Sequence, residues 1–565
     1  MEISTREHQF KGRTLAIVND LTLDEQWYLY QKVRELKEAV KSGGNLDQFR
    51  LRNPEFAVYT IFMEDSTRTK ESFRNAAEFH GMKVNVFDAK TSSFQKNETI
   101  TDTIKMLCGY SIGQSIFVIR SKIEGVCRWL EEAIGEYTRS RGYPPASFIN
   151  AGDGRHEHPS QELLDEFSFL EHKGWDRESI HLALLGDLFH GRTVHSKVDG
   201  LRLYGQVDVD LIAPAELALP KMYEERMVAF GFHVRKFASI EEYLAQSKVA
   251  KIWYFTRLQL ERMGEKVLDK SPQLRKAVTF QREFVGKLPP GTRFFHPLPR
   301  DARHPTLPFW LDNTELNGWD QQSQNGYFTR IILLGMFGGL LGGDFRSALA
   351  TPQELPMRPK VRPSPDSSPI RDAVDFITEV KRSDEAEDSS STEVGLVPLR
   401  SGIIIENLGA GQSVERIWGL MHMVRGILGL GDIGGQGVYR SAERPSGEAR
   451  GYISVPEVDI NGWDRRMLKK LTAMAPGSRL KVMEDGHIST EYCLSVPPRI
   501  YNFPDISCKN TACVSHSSNG QHEVPPYFHR AGQQSWAFLC KYCESMHDFW
   551  QIWDYKYYEA SDFTI

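Results

Sequence analysis

Ser66, Thr67, Arg68 and Thr69 stand where an apolar, β-rich run beginning at Phe56 (FAVYTIFM) gives way to a segment whose apolar residues recur at helical spacing. A helix beginning there presents unpaired backbone N–H groups and the positive end of its dipole, both of which favour an anion. Three hydroxyls and a guanidinium complete a phosphate cradle, the arginine supplying a bidentate fork. The ordinary alternative is that Ser66 or Thr67 caps the helix and Arg68 is solvated.

Further signals follow along the chain. TSSFQKNET, at 91–99, is a polar loop with one lysine, Lys96, and a serine, Ser92. Arg120 ends the apolar run SIFVIR, at the carboxyl end of an expected strand, where an arginine also commonly snorkels. His158 precedes Pro159 in HPSQ, a helix start, where a histidine N–H could meet a carbonyl oxygen that gains charge in a reaction, and Gln161 lies one turn on. Gly186 and Gly191 allow a tight turn that presents Arg192. Arg257 and Gln259 are two apart, so an extended backbone points both one way, and the two arginines together could hold two carboxylates. In FFHPLPR the prolines remove N–H donors and leave the carbonyls of Pro297 and Leu298 to accept from a ligand amide. Each signal alone has a structural reading as cap, turn or surface ion-pair residue. All of them fall at the carboxyl ends of expected strands or in crossover loops, where open α/β sheets collect ligands.

The elements that must position these residues alternate strand and helix: HLALLGDL, VDVDLIAP and KIWYFTR each run into a helical stretch. The pattern predicts an α/β fold of two doubly wound parallel-sheet domains, 1–150 and 151–344. From 345 to 395 the composition turns proline-rich, then acidic and serine-rich, which predicts a disordered linker with a short helix near DAVDFITEV. Residues 396–504 read as a small α+β domain, and 505–565 as a β-rich, metal-binding module. There Cys508, Cys513, Cys540 and Cys543 form two pairs of spacing x4 and x2, the donor set of a closed Zn²⁺ site, with His516, His522, His529 and His547 as rival ligands. Cys108 and Cys127 read as buried thiols.

The chain has 565 residues, a formal charge of −5, 40% apolar and 25% charged residues. The balance gives no global pull toward nucleic acid or anionic membrane, and no basic stripe accompanies the cysteines. The amino terminus lacks the apolar core of a secretory signal, and the longest apolar run, Ile331–Leu341, is far short of the ~20 residues of a spanning helix. A soluble, cytoplasmic protein is expected.

STRTKESFR, HPSQ, GDLxxGRTxHS, TRLQ and HPLPR, in that order, resemble the catalytic chain of aspartate carbamoyltransferase, and the cysteine tail resembles the zinc-carrying regulatory chain of the same enzyme. The resemblance implies transfer of the carbamoyl group of carbamoyl phosphate to L-aspartate in pyrimidine synthesis. It implies phosphate binding by Ser66, Thr67 and Arg68, with Thr69 also reaching the carbamoyl oxygen and Arg120 bridging phosphate and carbonyl. His158 would polarise that carbonyl, Gln161 with the Pro297 and Leu298 backbone would hold the amide, and Arg192, Arg257 and Gln259 would fix the aspartate carboxylates. Ser92 and Lys96 would come from a neighbouring protomer, making a homo-oligomer built on catalytic trimers. No metal or organic cofactor is required for this chemistry; zinc is structural.

An ornithine-type carbamoyltransferase is the enzyme alternative, and a zinc-tailed nucleic-acid-binding protein the alternative of another class. For nucleotide effectors the resemblance thins. An Asp-His pair and two lysines expected to meet the nucleotide align with Glu406, Asn407, Glu457 and Glu491, and carboxylates there would repel phosphates, so nucleotide feedback is expected to be weak or absent.

Overall fold

A computed structural model of the chain describes residues 10–88, 98–259, 269–346, 377–380, 399–431, 433–440, 447–458, 465–501, 503, 505–532 and 535–554. Met1–Gln353 together with Asn510–Val524 forms one compact unit, and Glu354–Lys509 with Pro525–Ile565 a second.

In the first unit, α1 (Leu23–Ser42) starts in a capping box between Thr22 and Glu25 and stops at Gly43, whose φ of 67° is left-handed. Strands and helices then alternate: β1 (Ala57–Phe62), α2 (Thr67–Phe79), β2 (Lys83–Asp88), α3 (Ile100–Cys108), β3 (Ser115–Ser121), α4 (Val126–Arg141) and β4 (Ala146–Asp153). The four strands are parallel in the order β2–β1–β3–β4. Phe62 pairs with Arg120, which sets that guanidinium level with the carboxyl end of β1.

α5 (Pro159–His172), begun by Pro159, leads to a second series: β5 (Ser179–Leu185), α6 (Arg192–Gly200), β6 (Gln206–Ile212), α7 (Lys221–Ala229), β7 (His233–Phe237), α8 (Ile240–Leu244), β8 (Ile252–Phe255), α9 (Ser271–Val278), β9 (Arg293–Phe295) and α10 (Trp319–Phe337). This sheet is also parallel, in the order β7–β6–β5–β8–β9. Along β5, Leu182 and Leu184 pack into one core while Ala183 and Leu185 pack into another with Trp253 and Phe255. Both faces are covered, which is why the strand reads as an unbroken apolar run. α5 is buried from Pro159 to Leu170, and the larger core joins Val58 and Ile116 of the first sheet to Leu182 of the second and to Ile331–Phe337 of α10. Two sheets therefore share one core, and their carboxyl ends can open onto common ground.

Asn510–Val524 belongs to the same unit through Glu124: its N–H donates to the Ala512 carbonyl at 2.7 Å, its carbonyl accepts from Val514 N at 2.9 Å, and its carboxylate accepts from Asn510 at 2.6 Å.

The second unit holds a six-stranded sheet, β10 (Ile377–Val380), β11 (Gly402–Leu408), β12 (Gly435–Arg440), β13 (Ala449–Pro456), β14 (Arg479–Glu484) and β15 (His487–Leu494), ordered β10–β15–β14–β11–β13–β12, with α11 (Val414–Leu428) and α12 (Arg465–Met474). α11 buries Ile417, Leu420, Met421, Val424 and Leu428, the spacing of one helical face. The expected short helix near DAVDFITEV is corrected here: Ile377–Val380 is a strand, antiparallel to β15. The four residues are rich in β-branched types, and pairing with the edge of β15 decides their state, which local periodicity does not reveal. The rest of 347–398 lies outside the described residues. An antiparallel sheet of β16 (Arg499–Tyr501), β17 (Tyr527–Arg530), β18 (Ala537–Cys540) and β19 (Met546–Asp548) ends the chain's described part.

Candidate active site and metal centre

One cavity of about 650 Å³ opens at the carboxyl ends of both parallel sheets. Ser66, Thr67, Arg68, Thr69, Arg120, His158, Gln161, Arg192, Arg257, Gln259, Pro297 and Leu298 all line it. Ser92 and Lys96 lie outside the described residues.

The Ser66–Thr69 group arrives by the junction of β1 and α2. Ser66 is the N-cap residue, yet its side chain makes no capping bond, so the plain capping reading does not account for it. Arg120 donates to the Ala151 carbonyl at 2.9 Å, and its guanidinium is 3.8 Å from the Glu64 carboxylate. Arg192, the first residue of α6, reaches the same carboxylate at 3.2 Å and the Gly154 carbonyl at 3.0 Å. The two arginines come together because residue 152 is glycine: a Cβ there would lie 2.9 Å from Arg192 Cζ and 3.0 Å from Arg120 Nη1, at a φ of +110°. Gln259, after β8, is held by its N–H on Asp187 at 3.1 Å and by its side chain on the His190 carbonyl at 3.3 Å.

His158 sits as the N-cap of α5, its ring 3.4 Å from Ser160 Oγ. Burial, then Arg120, Arg192 and Arg330, hold its pKa well below the usual histidine value, so the ring is neutral near pH 7. His296 is likewise pushed down to about 3, by burial and then Arg300, Arg68 and Arg257. Burial followed by Arg300 lowers the Arg68 pKa. Six arginines, at 68, 120, 192, 257, 300 and 330, line the cavity against two carboxylates, Asp65 and Asp301. The arrangement suits polyanions and a polarised carbonyl between them.

Residues 13–171 match the family model described as aspartate/ornithine carbamoyltransferase, carbamoyl-P binding domain, and residues 498–553 match that of the aspartate carbamoyltransferase regulatory chain, metal binding domain. The Treponema denticola protein named Protein PyrBI is 46% identical over 554 residues, 97% of this chain and 99% of that protein. Protein PyrBI of Thermotoga maritima is 45% identical over 551 residues, again 97% of this chain and 99% of that protein. The chain belongs to the PyrBI family of aspartate carbamoyltransferases. The aspartate carbamoyltransferase catalytic subunit of Bacteroides thetaiotaomicron is 34% identical over 282 residues, 49% of this chain and 82% of that subunit, as expected when only the catalytic half of a PyrBI chain is matched.

The metal-binding module of this PyrBI chain has its donors assembled. Cys508, Cys513, Cys540 and Cys543 are all buried, with sulfurs within 4.8 Å of one another. Cys508 Sγ and Cys543 Sγ are 3.6 Å apart, too far for a disulfide and close to the ~3.8 Å edge of a tetrahedron with Zn–S bonds of ~2.3 Å. The four thiols fit Zn²⁺, which they would hold as a closed structural ion. Of the rival histidines, His547 comes within 3.4 Å of Cys508 Sγ.

Several residues escaped the sequence reading. Glu64, two positions before Ser66, bridges Arg120 and Arg192. Arg330 lies in the apolar run of α10; burial lowers its pKa to about 10, and it donates to Ser72 at 2.7 Å. Arg300 is paired with Asp312 at 2.6 Å. A lone charge inside TRIILLGMF was a readable signal; the Glu64 bridge needed the register of β1 and β3.

Proposed function

We propose that the cavity carries out carbamoyl transfer from carbamoyl phosphate to L-aspartate, giving N-carbamoyl-L-aspartate and phosphate in pyrimidine biosynthesis. The observation that carries this reading is the convergence of all twelve described candidate residues on one arginine-rich cavity. Phosphate seats on the start of α2 with Arg68 and Arg120. Arg192, Arg257 and Gln259 take the two carboxylates of aspartate, and an acceptor with two carboxylates suits these guanidiniums better than the cationic side chain of ornithine. The amine nitrogen attacks the carbamoyl carbon, the C–O bond to phosphate breaks, and an amine proton is released. A neutral His158 donates a hydrogen bond to the carbonyl oxygen as its charge grows, and orientation of the two bound anions supplies much of the rate. The bonds made and broken require neither redox chemistry nor an organic cofactor.

Ser92 and Lys96 belong to the same proposal, as groups from a neighbouring protomer in a trimer-based homo-oligomer. The boundaries 1–150 for carbamoyl phosphate, 151–344 for aspartate, 345–395 as linker, 396–504 as the regulatory-type domain and 505–565 as the zinc module complete the reading, with β10 of the linker segment joining the sheet of the regulatory-type domain. No helix among the described residues is long and apolar enough to cross a membrane.

Nucleotide effectors are a separate matter. Two of the three carboxylates expected to repel phosphate are paired, Glu406 with Lys481 at 2.8 Å and Glu491 with Arg479 at 3.0 Å, while Asn407 accepts from Arg450 at 3.1 Å. To the expected repulsion this pairing adds a second reason for weak feedback, since Lys481, Arg479 and Arg450 are already engaged. Calorimetry of the intact chain with CTP and ATP tests this; tight binding contradicts it.

Turnover assays with aspartate and with ornithine test the reaction. Arg68→Ala and Lys96→Ala each lower aspartate turnover at least about 100-fold while the fold persists. Near-wild-type turnover in either variant overturns the assignment.

A further inference from the structure

Beneath the cavity, α5 buries Asp165, and α6 buries Lys197, both fully enclosed. Lys197 Nζ donates to Asp165 Oδ2 and to Glu162 Oε2, each at 2.8 Å. A buried ion group of this kind is weak as a stabilising device, because desolvation offsets the attraction. Its use is found at the other oxygen of Asp165. Oδ1 accepts from the side-chain amide of Gln161 at 2.8 Å and from that of Gln322 at 2.6 Å.

A carboxylate accepts and does not donate, so both amides must turn their NH2 groups toward it. Gln161 then has its carbonyl oxygen left for the cavity it lines. Gln322 has its carbonyl oxygen facing the other way, where it accepts from His296 N at 2.9 Å. His296 Nδ1 in turn accepts from Leu298 N at 2.8 Å, and this fixes the turn that offers the Pro297 and Leu298 carbonyls. One carboxylate thereby orients the Gln161 amide and, through Gln322 and His296, braces the turn whose Pro297 and Leu298 line the same cavity.

We infer that Asp165, paired with Lys197, is a positioning residue that holds the Gln161 amide with its carbonyl oxygen left to the cavity, so that the site selects a donor bearing an NH2 beside its carbonyl over an acyl phosphate bearing a methyl. The inference rests on the carbamoyl-transfer reading and adds to it the origin of donor selectivity. A site whose acceptors are prearranged and dry rejects a group that cannot pair with them, because the acceptors are then left unsatisfied.

The test uses the intact chain and two stable ligands that differ only in NH2 against CH3: phosphonoacetamide and acetonylphosphonate. In calorimetry the wild type favours the amide by about tenfold or more. In Asp165→Asn the new amide can turn its own NH2 toward Gln161, which permits Gln161 to flip. The preference then falls to within about threefold, through weaker binding of phosphonoacetamide alone. Gln322→Met, which leaves Asp165 and Lys197 in place, shifts the preference in the same direction and decides the matter if Asp165→Asn does not fold. Equal loss of both ligands, or an unchanged preference, overturns the inference, since damage to the fold weakens both together. A wild type that makes N-carbamoyl-L-aspartate yet binds both ligands equally also overturns it and leaves the proposed function standing. A wild type that makes no product and binds neither ligand refutes the proposed function itself.

Discussion

Gly152→Ala, beside the cavity's Arg120 and Arg192, separates stability from function. The backbone φ of +110° costs a residue with a side chain about 1–2 kcal/mol, a loss of a few degrees in Tm. The added methyl meets Arg192 at 2.9 and 3.0 Å and Arg120 at 3.0 Å, and in each case the atom met is the end of a flexible side chain. The clash is therefore relieved by moving the guanidiniums about 0.5–1 Å to normal contact distance, at little further cost in stability. Those guanidiniums are the groups assigned to substrate, and misplacement of about 1 Å costs on the order of 100-fold in rate. Steady-state kinetics with both substrates varied is expected to show a higher KM for aspartate together with a kcat reduced about 100-fold. Thermal unfolding is expected to shift by only a few degrees. Full activity in a folded Gly152→Ala chain refutes the claim that the two arginines act as a pair at this point.

Other outcomes follow from the same geometry. His158→Ala lowers kcat about 10²–10³-fold, and because the histidine pKa is already far below its usual value, the pH–rate profile between 6 and 8 keeps its shape; loss of a limb in that range contradicts a neutral donor. Glu166, raised to about 7 by burial, binds a proton in the folded chain that the unfolded chain releases near 4.5, so its contribution to stability is lost as pH rises from 4.5 through 7. Glu166→Gln should consequently improve relative to wild type by about 3 kcal/mol between pH 4.5 and pH 8 in denaturant titrations, and an equal effect at both pH values contradicts the assignment. Metal analysis should find one zinc per chain, and chelation should expose the carboxyl-terminal module to limited proteolysis; a metal-free chain with equal protease resistance removes the structural role of zinc.

How much of this was legible beforehand depended on whether the deciding physics was local. The junction at Ser66–Thr69 and the start of α5 at Pro159 were readable because a strand-to-helix change and a fixed proline φ announce themselves within a few residues. The four cysteines were readable for the same reason, since metal-ligand spacing is a property of short loops. β10 was not, because a four-residue edge strand takes its state from β15, more than a hundred residues away in sequence. The Glu64 bridge and the pairing of Glu406 with Lys481 depend on register between strands, and a carboxylate read as a repelling charge proved to be one half of an ion pair. Buried charges on α5 were hidden in plain view: Glu162, Asp165 and Glu166 look like the polar face of a surface helix until the second sheet closes over them.

The most direct measurement is a crystal structure of the intact chain with N-(phosphonacetyl)-L-aspartate, which joins a phosphonate and the aspartate carboxylates in one molecule. The account predicts the phosphonate at Ser66–Thr69 and Arg120, the carbonyl oxygen at His158, and the two carboxylates at Arg192, Arg257 and Gln259, with Lys96 of an adjoining protomer reaching the phosphonate. A ligand bound away from these arginines, or a cavity completed within a single protomer, would contradict it.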